Sequence, residues 1–141
     1  MNKDIIDKFC DIYQKLDKDN LSQLTNIYDK DIVFIDAVHQ LQGIEQLQRY
    51  FRSLYKDISY CRFYIEEVIS GKGQASIIWT MTFAHNRLNS GDAIQVNGSS
   101  HLKFAKKIYY HRDYLDMGQM IYQHLPLLGG MVKFINKRLS R

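Results

Sequence analysis

The chain has 141 residues, of which 45% are hydrophobic and 24% charged, and its formal net charge is +4. This length is typical of one domain that buries a core without disulfides or metals. The two cysteines, Cys10 and Cys61, lie far apart in apolar stretches, which excludes a disulfide framework and fits a reducing compartment. There is no signal-like segment after Met1 and no apolar run near the roughly 18 residues of a membrane span, so we expect a soluble, cytoplasmic protein.

The positive charge is concentrated towards the end of the chain. Eight of the 19 Lys and Arg residues lie from Lys103 onward, against two of the 15 Asp and Glu residues. No element combines a basic stripe with stacking aromatics, so we expect no nucleic-acid partner. The five histidines show no paired ligand spacing and no glycine-rich phosphate loop follows a strand, so we expect neither a metal nor another cofactor.

Apolar residues recur at helical spacing in three N-terminal segments, which predicts three helices. The first helix covers residues 3–18, the second begins after Asn20 as its cap, and the third begins at Gly43. Their predicted buried faces are Ile5, Ile6, Phe9, Ile12, Tyr13 and Leu16, then Leu21, Leu24, Ile27 and Tyr28, then Ile44, Leu47, Tyr50, Phe51 and Leu54.

Between and after these helices the pattern changes to the period of two that is typical of strands. A mostly apolar strand is predicted over 32–39, and four further strands over 60–70, 75–86, 93–105 and 108–114. Asn97 and Gly98 interrupt the fourth of these with a hairpin-like pair, and we interpret them as a bulge that bends a long strand. Helices followed by antiparallel strands indicate an α+β architecture in which a curved sheet leaves a hollow.

Asp36 is the unusual residue of the first strand, because four apolar residues precede it and two follow. A buried carboxylate is either paired or functional. One hypothesis places Asp36 in a ligand pocket. The other pairs it with His39, Lys30 or Arg112 as a structural acid.

Residues 116–141 follow the last strand, and we treat them as a C-terminal helical extension of a single domain covering 1–141. Leu128, Met131, Val132, Ile135 and Leu139 form one apolar stripe beside basic residues. We favour a helix that covers the open end of the domain or a partner subunit. A basic amphipathic helix on an anionic membrane is the disfavoured alternative.

The order of elements from residue 3 to about 115 resembles the nuclear transport factor 2-like superfamily, in particular its SnoaL-like and ketosteroid isomerase-like branch. The features that carry the resemblance are residues 28–31, the strand with Asp36, and Gly43 before a helix and four strands. The resemblance implies a cone-shaped roll in which three helices pack into a strongly curved antiparallel sheet. It also implies homodimers formed through the outer sheet face.

Carried over by position, the resemblance makes Asp36 a general base and Tyr13 a donor in an oxyanion hole. The isomerases have a third, acidic group near Ser100, and serine there is a departure that makes steroid isomerisation itself doubtful. Strand alternation places His111 and Asp113 on one face, which the resemblance turns inward, as a second acid/base pair. Trp79, Met81 and Phe83 share a face of their strand, and the predicted pocket lining also includes His39, Phe51 and Leu115.

These residues support three functional hypotheses. The first is an isomerase or cyclase that moves a proton on a small hydrophobic carbonyl compound, with Asp36 as base. The second is a non-catalytic ligand-binding or dimerising module, in which Asp36 would be salt-bridged and the hollow filled. The third is epoxide hydrolase-like activation of water by Asp36, Arg112 and Asp113. The structural alternative for the last strand pairs Arg112 with Glu66 or Glu67.

Overall fold

The computed structural model describes residues 3–86 and 89–119, which form two α-helices, short 3-10 helices and a six-stranded sheet. The C-terminal helix predicted over 116–141 lies almost wholly outside the described residues. No helix within the described ranges is long and apolar enough to cross a bilayer. The elements are α1 (Lys3–Lys15), a 3-10 helix (Leu21–Asn26), β1 (Tyr28–Ile35), β2 (Gln40–Gln42), α2 (Ile44–Tyr55), β3 (Ile58–Gly71), β4 (Gln74–His85), a short 3-10 turn (Asn89–Gly91), β5 (Ile94–Phe104) and β6 (Ile108–Leu115).

The sheet is mixed, which corrects the prediction of a purely antiparallel sheet. Its strand order is β2-β1-β6-β5-β4-β3. The long strands β3 to β6 form an antiparallel meander, whereas β1 pairs with β6 in parallel. The chain between these two paired strands runs through β2, α2 and β3 to β5, so the pairing brings residues from both ends of the domain together.

The two α-helices pack their apolar stripes into the concave side of this sheet. In α1 the stripe runs through Phe9 and Tyr13, and in α2 it runs through Leu47 and Phe51, all at most 6% exposed. These residues join the inward-facing side chains of the sheet in one core. The α+β architecture predicted from the sequence is confirmed.

The second predicted helix is shorter than expected and is a 3-10 helix that ends at Asn26. Tyr28, predicted on its buried face, instead begins β1. The backbone N–H of Ile108 donates to the carbonyl of Ile27 at 2.8 Å, and Tyr28 pairs with Ile108. Pairing with β6 thus takes the backbone of these residues into the sheet.

The first strand also ends earlier than predicted, at Ile35, so Asp36 lies in a turn. The Asp36 N–H donates to the His39 carbonyl at 2.9 Å. The Asp36 carboxylate accepts the N–H groups of Val38 at 2.9 Å and His39 at 2.7 Å through Oδ1. This local hydrogen bonding is typical of an Asx turn and competes with continuation of the strand.

The bulge predicted at Asn97 and Gly98 is wrong. Both residues pair in regular register, Asn97 with Thr80 and Gly98 with Trp79, while the irregular pairings lie in β1, in β3 and at the end of β5. A Cβ at Gly98 would lie 2.8 Å from Cζ3 of Trp79 and 2.7 Å from the carbonyl oxygen of Tyr114. Glycine is therefore required here because the Trp79 ring lies directly against the backbone.

Candidate functional site

A cavity of about 120 Å³ lies between the two helices and the concave face of the sheet. Its walls are almost entirely apolar, and two carboxylates interrupt them. The lining residues are Tyr13, Phe34, Asp36, Tyr50, Phe51, Leu54, Tyr55, Ile58, Cys61, Phe63, Trp79, Met81, Phe83, Asp113 and Leu115. Among the described residues, the lining contains no Lys, Arg or His, so Asp36 and Asp113 carry its formal charge.

The structure brings most of the predicted site residues to this cavity. Tyr13, Asp36 and Asp113 line it, as do the predicted wall residues Trp79, Met81, Phe83, Phe51 and Leu115. Ser100 and His111 lie behind the wall, 2% and 0% exposed. The side chain of His39 is 48% exposed and its ring packs on Tyr50, so it lies outside the lining.

Asp113 is held from behind by two buried donors. Ser100 Oγ donates to Asp113 Oδ1 at 2.6 Å, and Trp79 Nε1 donates to Ser100 Oγ at 2.9 Å. His111 Nε2 lies 2.5 Å from the same Asp113 oxygen. Because Ser100 already donates its hydrogen to Asp113, it positions that carboxylate and is not itself a donor to a ligand.

The hydrogen bonds continue from His111 away from Asp113. His111 Nδ1 lies 2.6 Å from the Tyr28 hydroxyl, which in turn is hydrogen-bonded to the Tyr13 hydroxyl. We call Tyr13, Tyr28, His111 and Asp113 the buried network. It begins and ends at residues that line the cavity, and its two middle members are at most 1% exposed.

Four aromatic rings surround His111. Phe34 is closest, with ring centroids 4.7 Å apart, and Phe9, Tyr13 and Tyr28 lie at 5.7 to 6.1 Å. Burial raises the pKa of Tyr13 and of Tyr28 well above the ordinary value, because a phenolate would lose its hydration there. Both tyrosines therefore keep their hydroxyl protons at neutral pH and serve as donors and acceptors.

Asp36 is held differently. Besides the two N–H groups of its own turn, its Oδ2 accepts a hydrogen bond from the Tyr50 hydroxyl of α2. His39 Nδ1 lies 3.6 Å from Oδ1 and contributes an ion pair when the ring is protonated. Burial, followed by the hydrogen bond to Asp36, raises the pKa of Tyr50 far above the ordinary value, so this phenol remains a donor.

The parallel pairing of β1 and β6 places the two carboxylates side by side. Ile35 pairs with Arg112, so Asp36 and Asp113 are the next residues along two neighbouring strands. Their side chains are 11% and 20% exposed, and both reach the cavity. The sequence separates them by 77 positions, and only the parallel register reveals that they are neighbours.

Arg112 does not join them. It is exposed on the outer face of the sheet, with its guanidinium 5.0 Å from the centroid of the Tyr114 ring. Glu66, one of the predicted ion-pair partners of Arg112, accepts a hydrogen bond from Thr80 at 2.7 Å. The three groups of the epoxide hydrolase-like hypothesis therefore do not converge in this structure.

Two polar residues of the site, Tyr28 and Tyr50, are not predicted as site residues from the sequence. Both were assigned to apolar helix faces because tyrosine at a core position most often contributes packing. A signal was nevertheless present: buried Tyr hydroxyls need partners, and Asp36 and His111 were predicted polar residues of the interior pocket. The cavity lining also includes Tyr55, whose hydroxyl lies 3.8 Å from the Cys61 thiol. Burial raises the pKa of that thiol to about 11.

No group of three or more potential metal-ligating side chains occurs in the part of the chain that the structure describes. The polar groups of the cavity are thus carboxylates, phenols and one thiol. Carboxylates can accept protons and phenols can donate hydrogen bonds to a developing oxyanion. The arrangement suits proton transfer on a small apolar ligand.

Comparison with known proteins identifies the domain. The sequence profile of the SnoaL-like domain matches residues 8–111. The fold is similar to that of a Jannaschia sp. CCS1 protein assigned to the SnoaL-like polyketide cyclases, with a TM-score of 0.74, 13% identity, and coverage of 84% of this chain and 89% of that one. No curated protein gives a significant sequence match.

Two further solved structures show the same fold. An NTF2-like protein of unknown function from Burkholderia pseudomallei K96243 has a TM-score of 0.73 and 13% identity, covering 83% of this chain and 94% of its own. A Catenulispora acidiphila protein with a ketosteroid isomerase-like fold, in complex with trimethylamine, has a TM-score of 0.70 and 13% identity, covering 82% and 87%. At these identities, the comparisons establish the fold.

Proposed function

This chain belongs to the SnoaL-like domain family, and we propose that its cavity binds a small hydrophobic carbonyl compound and moves a proton on it, with Asp113 as the base. The observation that carries the proposal is the position of Asp113. Its carboxylate lines an apolar cavity, while the described hydrogen bonds to it, from Ser100 and His111, both end on Oδ1.

The cavity supports a small apolar ligand. Aromatic and aliphatic side chains make up most of its lining, and such walls favour hydrophobic molecules through removal of apolar surface from water. Its volume of about 120 Å³ is comparable to cavities of about 150 Å³ that accept a benzene-sized molecule. We therefore favour compact ring ketones over large or strongly charged compounds.

The proposed reaction begins at a carbon next to the carbonyl group. Asp113 accepts the proton from that carbon, and the electron pair of the broken C–H bond moves towards the carbonyl oxygen, which gives an enolate. The Tyr13 hydroxyl is the proposed donor to the enolate oxygen, since donors that are already in place stabilise charge that develops in the transition state. Return of the proton to another carbon gives isomerisation, and attack of the carbanion on a second carbonyl gives cyclisation.

Asp36 is the alternative base, and the resemblance to ketosteroid isomerases assigns it that role. The hydrogen bonds around it favour Asp113 instead. Oδ1 of Asp36 accepts two backbone N–H groups and Oδ2 accepts the Tyr50 hydroxyl, so three donors compete with a substrate proton. We propose that Asp36 and Tyr50 orient the ligand.

The test measures exchange of the acidic protons of cyclopentanone in D2O by NMR, with wild-type protein and with the variants Asp113→Asn and Asp36→Asn. We expect Asp113→Asn to slow exchange by about 100-fold or more, the usual contribution of a general base, and Asp36→Asn by less than about 10-fold. The reverse ranking would make Asp36 the base. Cyclopentanone that binds in the cavity without any exchange above background would instead indicate the non-catalytic ligand-binding module.

We also propose, as the family resemblance implies, that the protein forms a homodimer through the outer sheet face. This face carries large exposed side chains, among them Tyr60, Tyr64 and Tyr114, which are 43%, 69% and 50% exposed. Exposed aromatic side chains on one face often mark a protein interface. Sedimentation velocity checks this: we expect a dimer for the wild-type protein and a monomer for Tyr64→Glu, whereas a wild-type monomer at high concentration would refute it.

A further inference from the structure

The buried network joins two groups that the proposed function uses separately, the base and the oxyanion donor. From the continuity of its hydrogen bonds we propose that Tyr28 is a positioning residue, which couples protonation of the His111 ring to the direction in which Tyr13 donates its hydrogen bond. The inference deepens the proposed function and rests on it for its catalytic meaning. The coupling itself is a property of the ligand-free protein.

The number of protons in the network fixes the direction of its hydrogen bonds. Before proton uptake, His111 donates from Nε2 to Asp113 Oδ1, and its bare Nδ1 accepts a hydrogen bond from Tyr28. The Tyr28 oxygen then accepts the hydrogen of Tyr13. In this state the Tyr13 hydrogen points into the network and is not available to a ligand.

One added proton reverses this order. When His111 takes up this proton from solvent, both ring nitrogens carry hydrogen, so Nε2 still donates to Asp113 and Nδ1 donates to the Tyr28 oxygen. Tyr28 must then turn its own hydrogen towards the Tyr13 oxygen. The hydrogen of Tyr13 is released towards the cavity that this residue lines.

This coupling decides when the oxyanion donor of the proposed reaction is available. With His111 protonated, Asp113 is still a carboxylate that can accept the proton from carbon, and the Tyr13 hydrogen already points into the cavity. The proton from carbon stays on Asp113, because Nε2 of His111 already carries hydrogen and Nδ1 contacts Tyr28. The bond broken is C–H, the bond formed is O–H on Asp113, and the two tyrosines keep their protons.

The surroundings of the network favour this mechanism. The groups that face His111 are Tyr13 and Phe9 from α1, Tyr28 and Phe34 from β1, and Asp113 from its own strand. Asp113 is the one group with a formal charge among them within the described ranges. Burial raises the pKa of both tyrosines, so neither becomes a phenolate that would hold the network in one direction.

The experiment is an NMR titration without ligand, between about pH 8 and about pH 4, where histidine ordinarily gains its proton. Protein labelled with ¹⁵N in histidine rings and ¹³C at tyrosine Cζ reports both ends of the network. In the wild-type protein we expect Tyr28 and Tyr13 to change their Cζ shifts with the same midpoint as the His111 ring nitrogens. Tyr55 is an internal control in the same spectrum, because its hydroxyl contacts Cys61 and not the network.

The variant Tyr28→Phe removes the connecting hydroxyl and keeps the ring. We expect His111 still to titrate and the Tyr13 response to be lost. A Tyr13 response as large as in the wild-type protein would overturn the proposal, because the coupling would then be a direct effect of charge. So would a Tyr13 signal that does not follow His111 in the wild-type protein, or a His111 ring that keeps one protonation state throughout.

These outcomes are separate from those of the proposed function. If Asp113→Asn abolishes cyclopentanone exchange but Tyr13 does not follow His111, the proton-transfer function holds and the coupling fails. If Tyr13 follows His111 but no variant affects exchange, the coupling is present in a cavity that does not catalyse this reaction. The titration is interpretable in wild-type protein alone, even if Tyr28→Phe does not fold.

Discussion

The two carboxylates of the cavity are neighbours in space but are positioned by different means. Asp113 is held by side chains from several elements. Ser100 lies in β5, and His111 lies in β6 and is hydrogen-bonded to Tyr28 of β1. Asp36 is held mainly by backbone N–H groups of its own turn. The position of Asp113 therefore depends on the tertiary structure, whereas that of Asp36 is largely local.

This difference affects both stability and function. A carboxylate held by buried side chains is sensitive to substitutions far away in sequence, because each lost partner leaves another buried polar group unsatisfied. A carboxylate held by its own turn tolerates changes in neighbouring elements. The same asymmetry leaves Asp113, and not Asp36, connected to the buried network.

The largest expected effect is that of His111→Leu, which keeps a similar volume but removes the centre of the buried network. We expect a loss of about 3 kcal/mol in the free energy of unfolding, because Tyr28 and Asp113 both lose a buried hydrogen bond. Urea denaturation measures it. The control is His101→Leu, a half-buried histidine bonded to Gln74, for which we expect a change within about 0.5 kcal/mol. Equal effects of the two variants would show that His111 contributes only packing.

Gly98→Ala tests the part of the cavity wall that Trp79 forms. The added Cβ would meet the Trp79 ring and the Tyr114 carbonyl, so Trp79 has to move away from Ser100. Overpacking of this kind costs about 2 kcal/mol. Fluorescence follows the movement directly, because the sequence contains one tryptophan.

The matched control for Gly98→Ala is Gly71→Ala at the end of β3. Its Cβ would make ordinary contacts with Gln74 at 3.5 Å and longer. We expect stability and emission spectrum close to those of the wild-type protein. If the two glycine variants behave alike, the contact of the Trp79 ring with the backbone at Gly98 does not restrict this position.

Local patterns predicted the parts of the molecule that are determined locally. Helical spacing located α1 and α2, and strand alternation placed His111 and Asp113 on one face and Arg112 and Tyr114 on the other. The same approach failed where tertiary pairing overrides local preference. Asn97 and Gly98 resemble a hairpin turn, but the requirement there is for the close approach of a ring from the next strand.

The buried network could not be predicted from the sequence. Tyr28 and His111 are separated by 83 positions, and their contact depends on the parallel pairing of β1 with β6. The sequence pattern gives no register for a parallel pair whose strands lie at opposite ends of the domain. Asp36 is the converse case, because here a local contact overrides the pattern. The apolar run around Asp36 predicts that it lies within the strand, but its side chain forms a turn that ends the strand.

The smallest expected effect concerns the Asp36 side, and it shows how local that side is. Tyr50→Phe removes the one hydroxyl that α2 donates to Asp36, while the N–H groups of Val38 and His39 remain. We expect a loss of about 1 kcal/mol, the usual net value of one hydrogen bond, measured by urea denaturation beside the exposed-site control Tyr64→Phe. A loss of 2 kcal/mol or more, in the range of about 1–3 kcal/mol for an unsatisfied buried group, would show that Asp36 also depends on tertiary contacts. The contrast between the two carboxylates would then be one of degree.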